Sequence, residues 1–434
     1  MNQTRTLSLL SRLLPSGCAS MLTGCALILI GCASGRPQEP PNMPSTESAR
    51  PDGPPGSFGH DLAFLERHTA LIVLKSEDGS AQVAVAPEYQ GRVMTSSAEG
   101  QAGKSLGYVH RPGVELGKPT PHMSVVGGED RLWLGPEGGN FALYFAPGAP
   151  FEFAHWQVPE PLDWGAFRVT SRSAREVSFS RDMQLLNYHG TQLSLRVDRS
   201  VRLLDAPAVE AALGRALPAG VASVAYESDN RVTNTGASAW HKETGLVSIW
   251  ILGMFPPGPH ATVVVPFKPE ADGPVVRDDY FGQIPAERLH KGERHIFFRA
   301  DGAERGKIGV SFARALPVAG SYDPDARVLT VVQYTLPQAP AEYVSSTWEL
   351  HQNPYSGDVV NSYNDGPVAP GAKPLGPFYE IETSSPALAL APNASATHLH
   401  RTFHFTGARE GLAQLAQALL GVSLEEIESA LAGR

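Results

Sequence analysis

The sequence predicts an all-β protein: an antiparallel β-sandwich with a short N-terminal helix and a helical C-terminal cap. Short apolar or alternating segments recur along most of the chain, and turn residues separate most of them, as in a sheet protein. No long amphipathic helix is indicated between them, although a parallel α/β sheet would require such helices. The 43 glycines and 37 prolines are scattered, which suits many turns between short strands.

We place the predicted sandwich at residues 58–407. Apolar residues recur at helical spacing only at its start and in the segment that follows it. An apolar helical face comes near its start: Phe58, Leu62, Phe64 and Leu65. Asp61 lies in the first turn of this predicted helix, where a negative charge is favourable. In residues 408–434, leucines recur at helical spacing from Leu412 onward, so we expect a C-terminal helical segment there.

Residues 1–31 predict a lipoprotein signal peptide. The apolar run at residues 21–30 is about ten residues long, too short for a membrane-spanning helix of about 20. It ends in LIGC, which resembles a bacterial lipobox and makes Cys32 the lipidated residue and membrane anchor. A second match ends at Cys25, and an ordinary signal peptide or a disordered start is the alternative. Because residue 33 is Ala33 rather than Asp, we expect a periplasm-facing outer-membrane lipoprotein.

The rest of the composition narrows the class of protein further. Residues 32–57 are proline-rich and predict an extended tether rather than a core. All three cysteines precede residue 33, so the folded part has none for a disulfide, a metal site or a thiol nucleophile. The net charge of −9 comes from interspersed charges without a basic stripe, which argues against nucleic-acid binding.

A glycine-bracketed segment, residues 127–139 (GGEDRLWLGPEGG), concentrates charges and one indole in a short run. Side chains alternate along an extended chain, so we expect Glu129, Arg131 and Trp133 on one face. A carboxylate, a guanidinium and an indole together suit a polyhydroxylated ligand such as a sugar, and Glu137 adds another carboxylate. The alternative is a buried polar network that shapes the sandwich.

An acidic segment, residues 376–386 (GPFYEIETSSP), predicts a strand with Glu380 and Glu382 on one face. Their Cα atoms would lie about 7 Å apart, and two like charges at that distance tend to raise one pKa. Such a pair suits general acid–base chemistry. An exposed acidic strand face is the alternative.

Other segments allow two interpretations each. His241 is a candidate proton donor or sugar ligand, or part of a polar loop. Trp164 is one of several tryptophans that suit sugar stacking, although most tryptophans fill cores. Three histidines of residues 398–404 share one strand face, which suits a metal site or a wet face. Residues 98–105 (AEGQAGKS) fit a loose nucleotide-binding pattern, but the β-prone sequence after them indicates a turn. We predict no metal and no cofactor.

Four segments together resemble an uncharacterised bacterial lipoprotein family with a galactose-mutarotase-like, or aldose 1-epimerase-like, fold. They are residues 87–96 (PEYQGRVMTS), 127–139, 234–255 (NTGASAWHKETGLVSIWILGMF) and 376–386. The resemblance covers most of the chain, residues 58–407. It implies a β-supersandwich with a carbohydrate-sized groove on its concave sheet.

The resemblance to true aldose 1-epimerases is partial. Those enzymes use a Glu base on a late strand, and the sequence YEIETS is similar to it and places the base at Glu382. Their early His motif is absent, because Thr235 and Ala237 stand in the comparable region, and His241 follows as the candidate acid. We expect the remaining candidates to bind the substrate, by holding its hydroxyls and stacking on its ring: Glu129, Arg131, Trp133, Glu137, Trp164 and Glu380.

These observations predict an envelope lipoprotein that binds or acts on a carbohydrate, with acid–base chemistry at an anomeric carbon if it is an enzyme of the epimerase type. The alternative is a non-catalytic sugar-binding or envelope-scaffold protein, which the missing His motif favours. A third class is a glycoside hydrolase or lyase, because related sandwiches form domains of such enzymes.

Overall fold

The structure, a computed structural model, describes residues 53–368 and 371–432. The predicted signal peptide, the lipidated Cys32 and nearly all of the predicted tether lie outside the described residues. The lipid anchor and the outer-membrane location therefore stay predictions. Within the two described ranges, no helix combines the length and the apolar character needed to cross a bilayer.

Strands dominate the described part of the chain. The helices there are α1 (Phe58–Glu66), α2 (Arg111–Leu116), α3 (Glu160–Asp163), α4 (Ala206–Leu213), α5 (Arg409–Leu419) and α6 (Leu424–Ser429). The strands are β1 (Ile72–Lys75), β2 (Gln82–Ala86), β3 (Arg92–Ser97), β4 (Arg131–Gly135), β5 (Arg168–Arg172), β6 (Glu176–Leu186), β7 (Gln192–Leu203), β8 (Val221–Asn234), β9 (Ser248–Phe255), β10 (Thr262–Pro266), β11 (Leu289–Lys291), β12 (His295–Arg299), β13 (Gly306–Ser311), β14 (Val318–Asp323), β15 (Val328–Tyr334), β16 (Asp358–Asn364), β17 (Tyr379–Ser384) and β18 (Ser395–Gly407).

The strands form three antiparallel sheets. The large sheet has ten strands in the order β11-β12-β10-β14-β15-β18-β8-β7-β6-β5, and the small sheet has five in the order β13-β16-β17-β9-β4. Strands β1, β2 and β3 form a third sheet. Apolar side chains of the large and small sheets share common cores, so the two sheets pack face to face. The predicted all-β, antiparallel sandwich is confirmed.

One face of the large sheet packs on the small sheet, and the other face is solvated except where apolar residues of helices cover it. Along β7, residues alternate between buried and more exposed positions, as antiparallel strands do when one face is solvated. The small sheet differs, because every residue of β4 and β9 is buried. Loops therefore cover its second face, and the candidate site lies between that face and those loops.

Helices close the two ends of the described chain, as predicted. Ser57 caps α1 by accepting a hydrogen bond from the His60 N–H, and Asp61 lies in the first turn. After the last strand, α5 and α6 pack Leu412, Leu415 and other apolar residues into a core under the large sheet. Their burial explains the helical leucine spacing of the C-terminal segment.

Candidate functional site

The candidate site lies on the outer face of the small sheet. Cross-strand partners share a face of a sheet, so the register of the small sheet decides which side chains meet. Trp133 lies opposite Trp250, and Arg131 lies in one row with Leu252 and Glu382. The next row places Met254, Glu380, Tyr363 and Lys307 across four neighbouring strands.

A cleft with a cavity volume of about 70 Å³ lies over this face. One group of residues lining it is aromatic: Trp133, Phe153, Trp156, Trp250, Phe281, Trp348, Tyr363 and Phe378. A second group is charged: Arg131, Glu137, Arg305, Lys307 and Glu380. The cleft therefore combines flat apolar surfaces with charged hydrogen-bonding groups.

Two buried ion pairs hold the floor of the cleft. Arg131 donates to Glu380 Oε1 at 2.9 Å, and its guanidinium lies 3.8 Å from the centre of the Trp133 ring. Lys307 donates to Glu382 Oε2, also at 2.9 Å. Both pairs are almost fully shielded from solvent, so neither partner could be removed without leaving a buried charge.

Burial changes the proton affinities of these groups. It raises the pKa of Glu380 to about 8, although the Arg131 guanidinium opposes the rise. Burial also raises the pKa of Glu137, which Lys307 lowers in part. For Lys307 itself, burial lowers the pKa, but the carboxylates of Glu382 and Glu137 outweigh it and the pKa is raised. The cleft thus presents one carboxyl group, that of Glu380, whose pKa is about 8, and a second, that of Glu137, whose pKa is raised.

Stacked rings form a wall of the cleft. Trp156 stacks on Tyr144, Phe153 and Trp348, with ring centres 6.0 to 6.3 Å apart. The Trp156 Nε1–H is buried and has no hydrogen-bond partner among the described residues. A buried donor without a partner is costly, so this wall of the cleft contains an unsatisfied hydrogen-bonding group.

Four of the predicted substrate-binding residues line the cleft: Arg131, Trp133, Glu137 and Glu380. The predicted base, Glu382, lies on the same face but beneath the lining. It is fully buried, and its Oε2 accepts from Trp250 Nε1 at 2.9 Å as well as from Lys307. Its Oε1 has no partner within the described part of the chain.

Glu129 does not share a face with Arg131 and Trp133, which corrects the alternation expected from the sequence. It precedes β4, in a bend that follows Gly127 and Gly128, both of which have positive φ. The bend turns its fully buried carboxylate toward the large sheet, where Glu129 Oε2 lies 3.0 Å from His404 Nε2. Glu129 therefore belongs to the interior between the sheets.

His241 and Trp164 also lie outside the cleft lining. His241 is exposed in a turn before β9, where its carbonyl accepts the Gly245 N–H at 2.9 Å. Trp164 follows α3 and packs its half-buried ring 5.9 Å from that of Tyr89. The structure thus does not bring His241 and Glu382 into one catalytic pair.

The three histidines of β18 face the interior, not solvent. His398 Nε2 and His400 Nδ1 lie 3.0 and 2.9 Å from Thr383 Oγ1 on the small sheet. The predicted wet face is therefore a buried polar layer between the sheets. No cluster of three or more His, Cys, Asp or Glu side chains within residues 53–368 and 371–432 is arranged to hold a metal ion. Residues 98–105 contain only a short 3₁₀ turn, Gly100–Ala102.

Lys307, Arg305 and Trp348 also line the cleft, although the sequence did not predict them as site residues. Lys307 carried a usable signal, because it is a lysine within an apolar strand, on the side opposite Ile308 and Val310. A lysine at such a position is buried only with a partner. Nothing in the sequence identified that partner as Glu382, 75 residues further along the chain.

Fold and site together define a β-sandwich protein with an aromatic, charged cleft on its smaller sheet. The chain belongs to DUF6786, a family of unknown function, whose model matches residues 56–431. No curated protein matches the sequence.

Several solved structures resemble the chain at low identity. The Slr1438 protein of Synechocystis sp. PCC 6803 is 12% identical with a TM-score of 0.46, over 78% of this chain and 96% of that one. A galactose mutarotase-like protein of Lactobacillus casei is 12% identical with a TM-score of 0.41, over 77% and 100%. A galactose mutarotase related enzyme of Lactobacillus acidophilus is 8% identical with a TM-score of 0.41, over 78% and 97%. These similarities are too low to indicate an activity for this chain.

Proposed function

We propose that the cleft on the small sheet binds a carbohydrate. The observation that carries the proposal is the stacked wall of Trp156 and Trp348 over a floor of buried, charged hydrogen-bonding groups. Sugar rings present C–H faces that pack on aromatic rings, and hydroxyl groups that both donate and accept hydrogen bonds. Arg131 and Lys307 supply donors, while Glu137 and Glu380 supply acceptors.

Tryptophan fluorescence reports directly on this cleft. Four of the six tryptophans line it: Trp133, Trp156, Trp250 and Trp348. A panel of mono- and oligosaccharides titrated into the purified protein should therefore change the emission for at least one sugar, and calorimetry should give the same affinity. A broad panel without binding in either measurement would contradict the proposal.

The stacking wall gives a specific prediction. We expect Trp156→Ala to weaken sugar binding by about 1–2 kcal/mol, roughly 5- to 30-fold, because it removes a stacking surface. Trp156→Phe retains a ring and should lose less. Trp164→Ala, outside the cleft, is the matched control and should bind like the wild type. Thermal unfolding of each variant separates lost binding from lost structure. Equal weakening by Trp156→Ala and Trp164→Ala would place the sugar elsewhere.

A second candidate function, proton transfer at the anomeric carbon, is favoured by Glu380. A cleft-lining carboxyl whose pKa is about 8 exists in both protonation states near neutral pH, which suits a general acid or base. Glu380 thereby takes the acid–base role that was predicted for Glu382 and His241. Arg131, which donates to Glu380, would position its carboxyl group.

The test of this second function is the rate of α/β interconversion, measured by NMR for each sugar that binds. We expect Glu380→Gln to reduce the rate to that of buffer while affinity changes only a few-fold, because the amide oxygen can still accept from Arg131. The wild-type rate should also change as pH passes through about 8. An unchanged rate in Glu380→Gln would remove Glu380 from the chemistry, and a wild-type rate equal to buffer would leave binding as the function.

A further inference from the structure

Arg305 differs from the other two cations that line the cleft. Arg131 pairs with Glu380 and Lys307 pairs with Glu382, each at 2.9 Å. No such ion pair joins Arg305 to a carboxylate within the described residues, and its neighbour Glu304 pairs instead with Arg288. Within the described residues, Arg305 therefore has a neutral hydrogen-bonding neighbour, the Tyr363 hydroxyl, but no carboxylate at ion-pair distance.

The residues around Arg305 support its guanidinium without neutralising its charge. Its guanidinium carbon lies 3.5 Å from the centre of the Phe281 ring, so an aromatic side chain supports one flat face of the group. Its Nε–H is shielded from solvent and has no partner among the described residues. The nearby Asp365 is occupied, because it accepts from the Tyr363 hydroxyl at 3.1 Å and from the Gly376 N–H at 2.8 Å. A guanidinium carries its donors in one plane as a rigid fork, which can bind a carboxylate with two hydrogen bonds.

The balance of charge in the cleft also favours an anion. Lys307 and Glu382 compensate each other, which leaves Arg131 and Arg305 facing Glu137 and Glu380. Burial raises the pKa of both of these carboxyl groups, so protonation of either leaves the cleft with a net positive charge. A half-buried cation without a counterion is costly, and a ligand anion offsets that cost.

We propose that the carbohydrate bound in this cleft is an acidic sugar, and that the guanidinium of Arg305 binds its carboxylate. The inference rests on the proposed carbohydrate function and names the class of sugar. A carboxylate suits the site better than a phosphate, because one unpaired guanidinium matches one carboxylate. A phosphate dianion would bring a second negative charge beside Glu137 and Glu380 with no further unpaired cation described in the cleft.

The experiment compares sugars that differ only at C6: galacturonate with galactose and glucuronate with glucose, as monosaccharides and as short oligomers. Affinities come from tryptophan fluorescence and calorimetry. We expect the wild type to bind at least one uronate about tenfold or more tighter than its neutral counterpart, because hydrogen bonds to charged groups are the strong ones. Arg305→Gln should abolish this preference, so that uronate and neutral sugar bind with equal affinity, and Arg305→Lys should keep part of it. Arg168→Gln, an exposed arginine on β5 of the large sheet, is the matched control and should keep the full preference.

The outcomes of this experiment distinguish the acidic-sugar inference from the proposed carbohydrate function. Equal affinity for uronate and neutral sugar in the wild type, or a full preference in Arg305→Gln, overturns the acidic-sugar inference and leaves carbohydrate binding intact. Tighter binding of galactose 6-phosphate than of galacturonate overturns the assignment of a carboxylate. Absence of binding for every sugar, neutral or acidic, overturns the proposed function itself. A uronate preference that Arg305→Gln removes and Arg168→Gln retains supports the inference.

Discussion

Arg199→Met is expected to lower the free energy of unfolding by about 3–5 kcal/mol, because it leaves a buried carboxylate without its counterion. Arg199 Nη2 lies 2.6 Å from Asp130 Oδ1, and both side chains are fully buried. Arg199 also donates to the Gly91 carbonyl at 3.1 Å and to Asn230 Oδ1. It therefore joins the large sheet to the chain that leads into β4 of the small sheet.

A pair on the surface of the same strand provides the control. Arg196 lies 2.9 Å from Asp198, but both side chains are more than a third exposed, so Arg196→Met should cost less than about 1 kcal/mol. In urea unfolding, the Arg199→Met/Asp130→Asn double variant should recover part of the loss, because the remaining amide carries no charge. If Arg199→Met is no more destabilising than Arg196→Met, the buried pair does not hold the sheets together.

Much of the fold followed from local patterns. Strand β7 alternates apolar and polar residues, and its apolar set from Leu193 to Leu203 is the buried set. The pairing of Glu380 with Glu382 on one strand face followed from the same period of two, and both lie on the cleft side of β17. Such predictions need only neighbouring residues, which is why a single sequence supports them.

The errors have physical causes that neighbouring residues do not reveal. The short apolar run at residues 141–145 (FALYF) is typical of a buried strand, but these residues form turns and bends whose aromatic rings fill the core. Their apolar character predicts burial correctly. It does not predict the backbone conformation, because periodicity cannot distinguish a strand from another buried segment in so short a run. The strand face predicted for Glu129 was wrong for a different reason: the positive φ of Gly127 and Gly128 redirects the chain just before β4.

Part of the site could not be predicted, because it is formed by contacts between distant segments of the chain. The sequence predicted Arg131, Trp133, Glu137 and Glu380 as lining residues, because each combined charge or an indole with a strand pattern. It did not predict that Lys307 neutralises Glu382, because that pairing depends on the order of strands in the small sheet. Arg199 did carry an unused signal, since it occupies an apolar position of β7 and so required a buried partner.

The histidines between the sheets are expected to make the protein strongly sensitive to acid. Burial lowers the pKa of His398 to about 3, with a smaller contribution from His400, and lowers the pKa of His400 to about 4. His400 faces Thr383, Asp130 and Arg199, whose charges largely oppose each other, so burial decides its state. His398 faces Thr383, His400 and the ring of Tyr334, 6.4 Å away.

The direction of the pH effect follows from linkage. Both folded-state pKa values lie below the unfolded value of about 6.5, so the unfolded chain binds more protons in the window between them. The stability that the neutral histidines contribute is complete above pH 6.5. It is lost as pH falls toward 4 for His400 and toward 3 for His398. Between pH 7 and pH 5 the two histidines together should lower the free energy of unfolding by on the order of 3 kcal/mol.

The variant that isolates this effect is His400→Gln, whose amide can still bond Thr383 but does not titrate. Urea unfolding at pH 7 and at pH 5 gives the acid-induced loss for each protein. We expect His400→Gln to reduce that loss by about half relative to the wild type, whatever its stability at pH 7, because one of the two titrating groups is gone. His155→Gln, which removes an exposed histidine, should leave the loss unchanged. If His400→Gln and His155→Gln lose as much stability as the wild type between the two pH values, the buried histidines are not the groups that take up the protons.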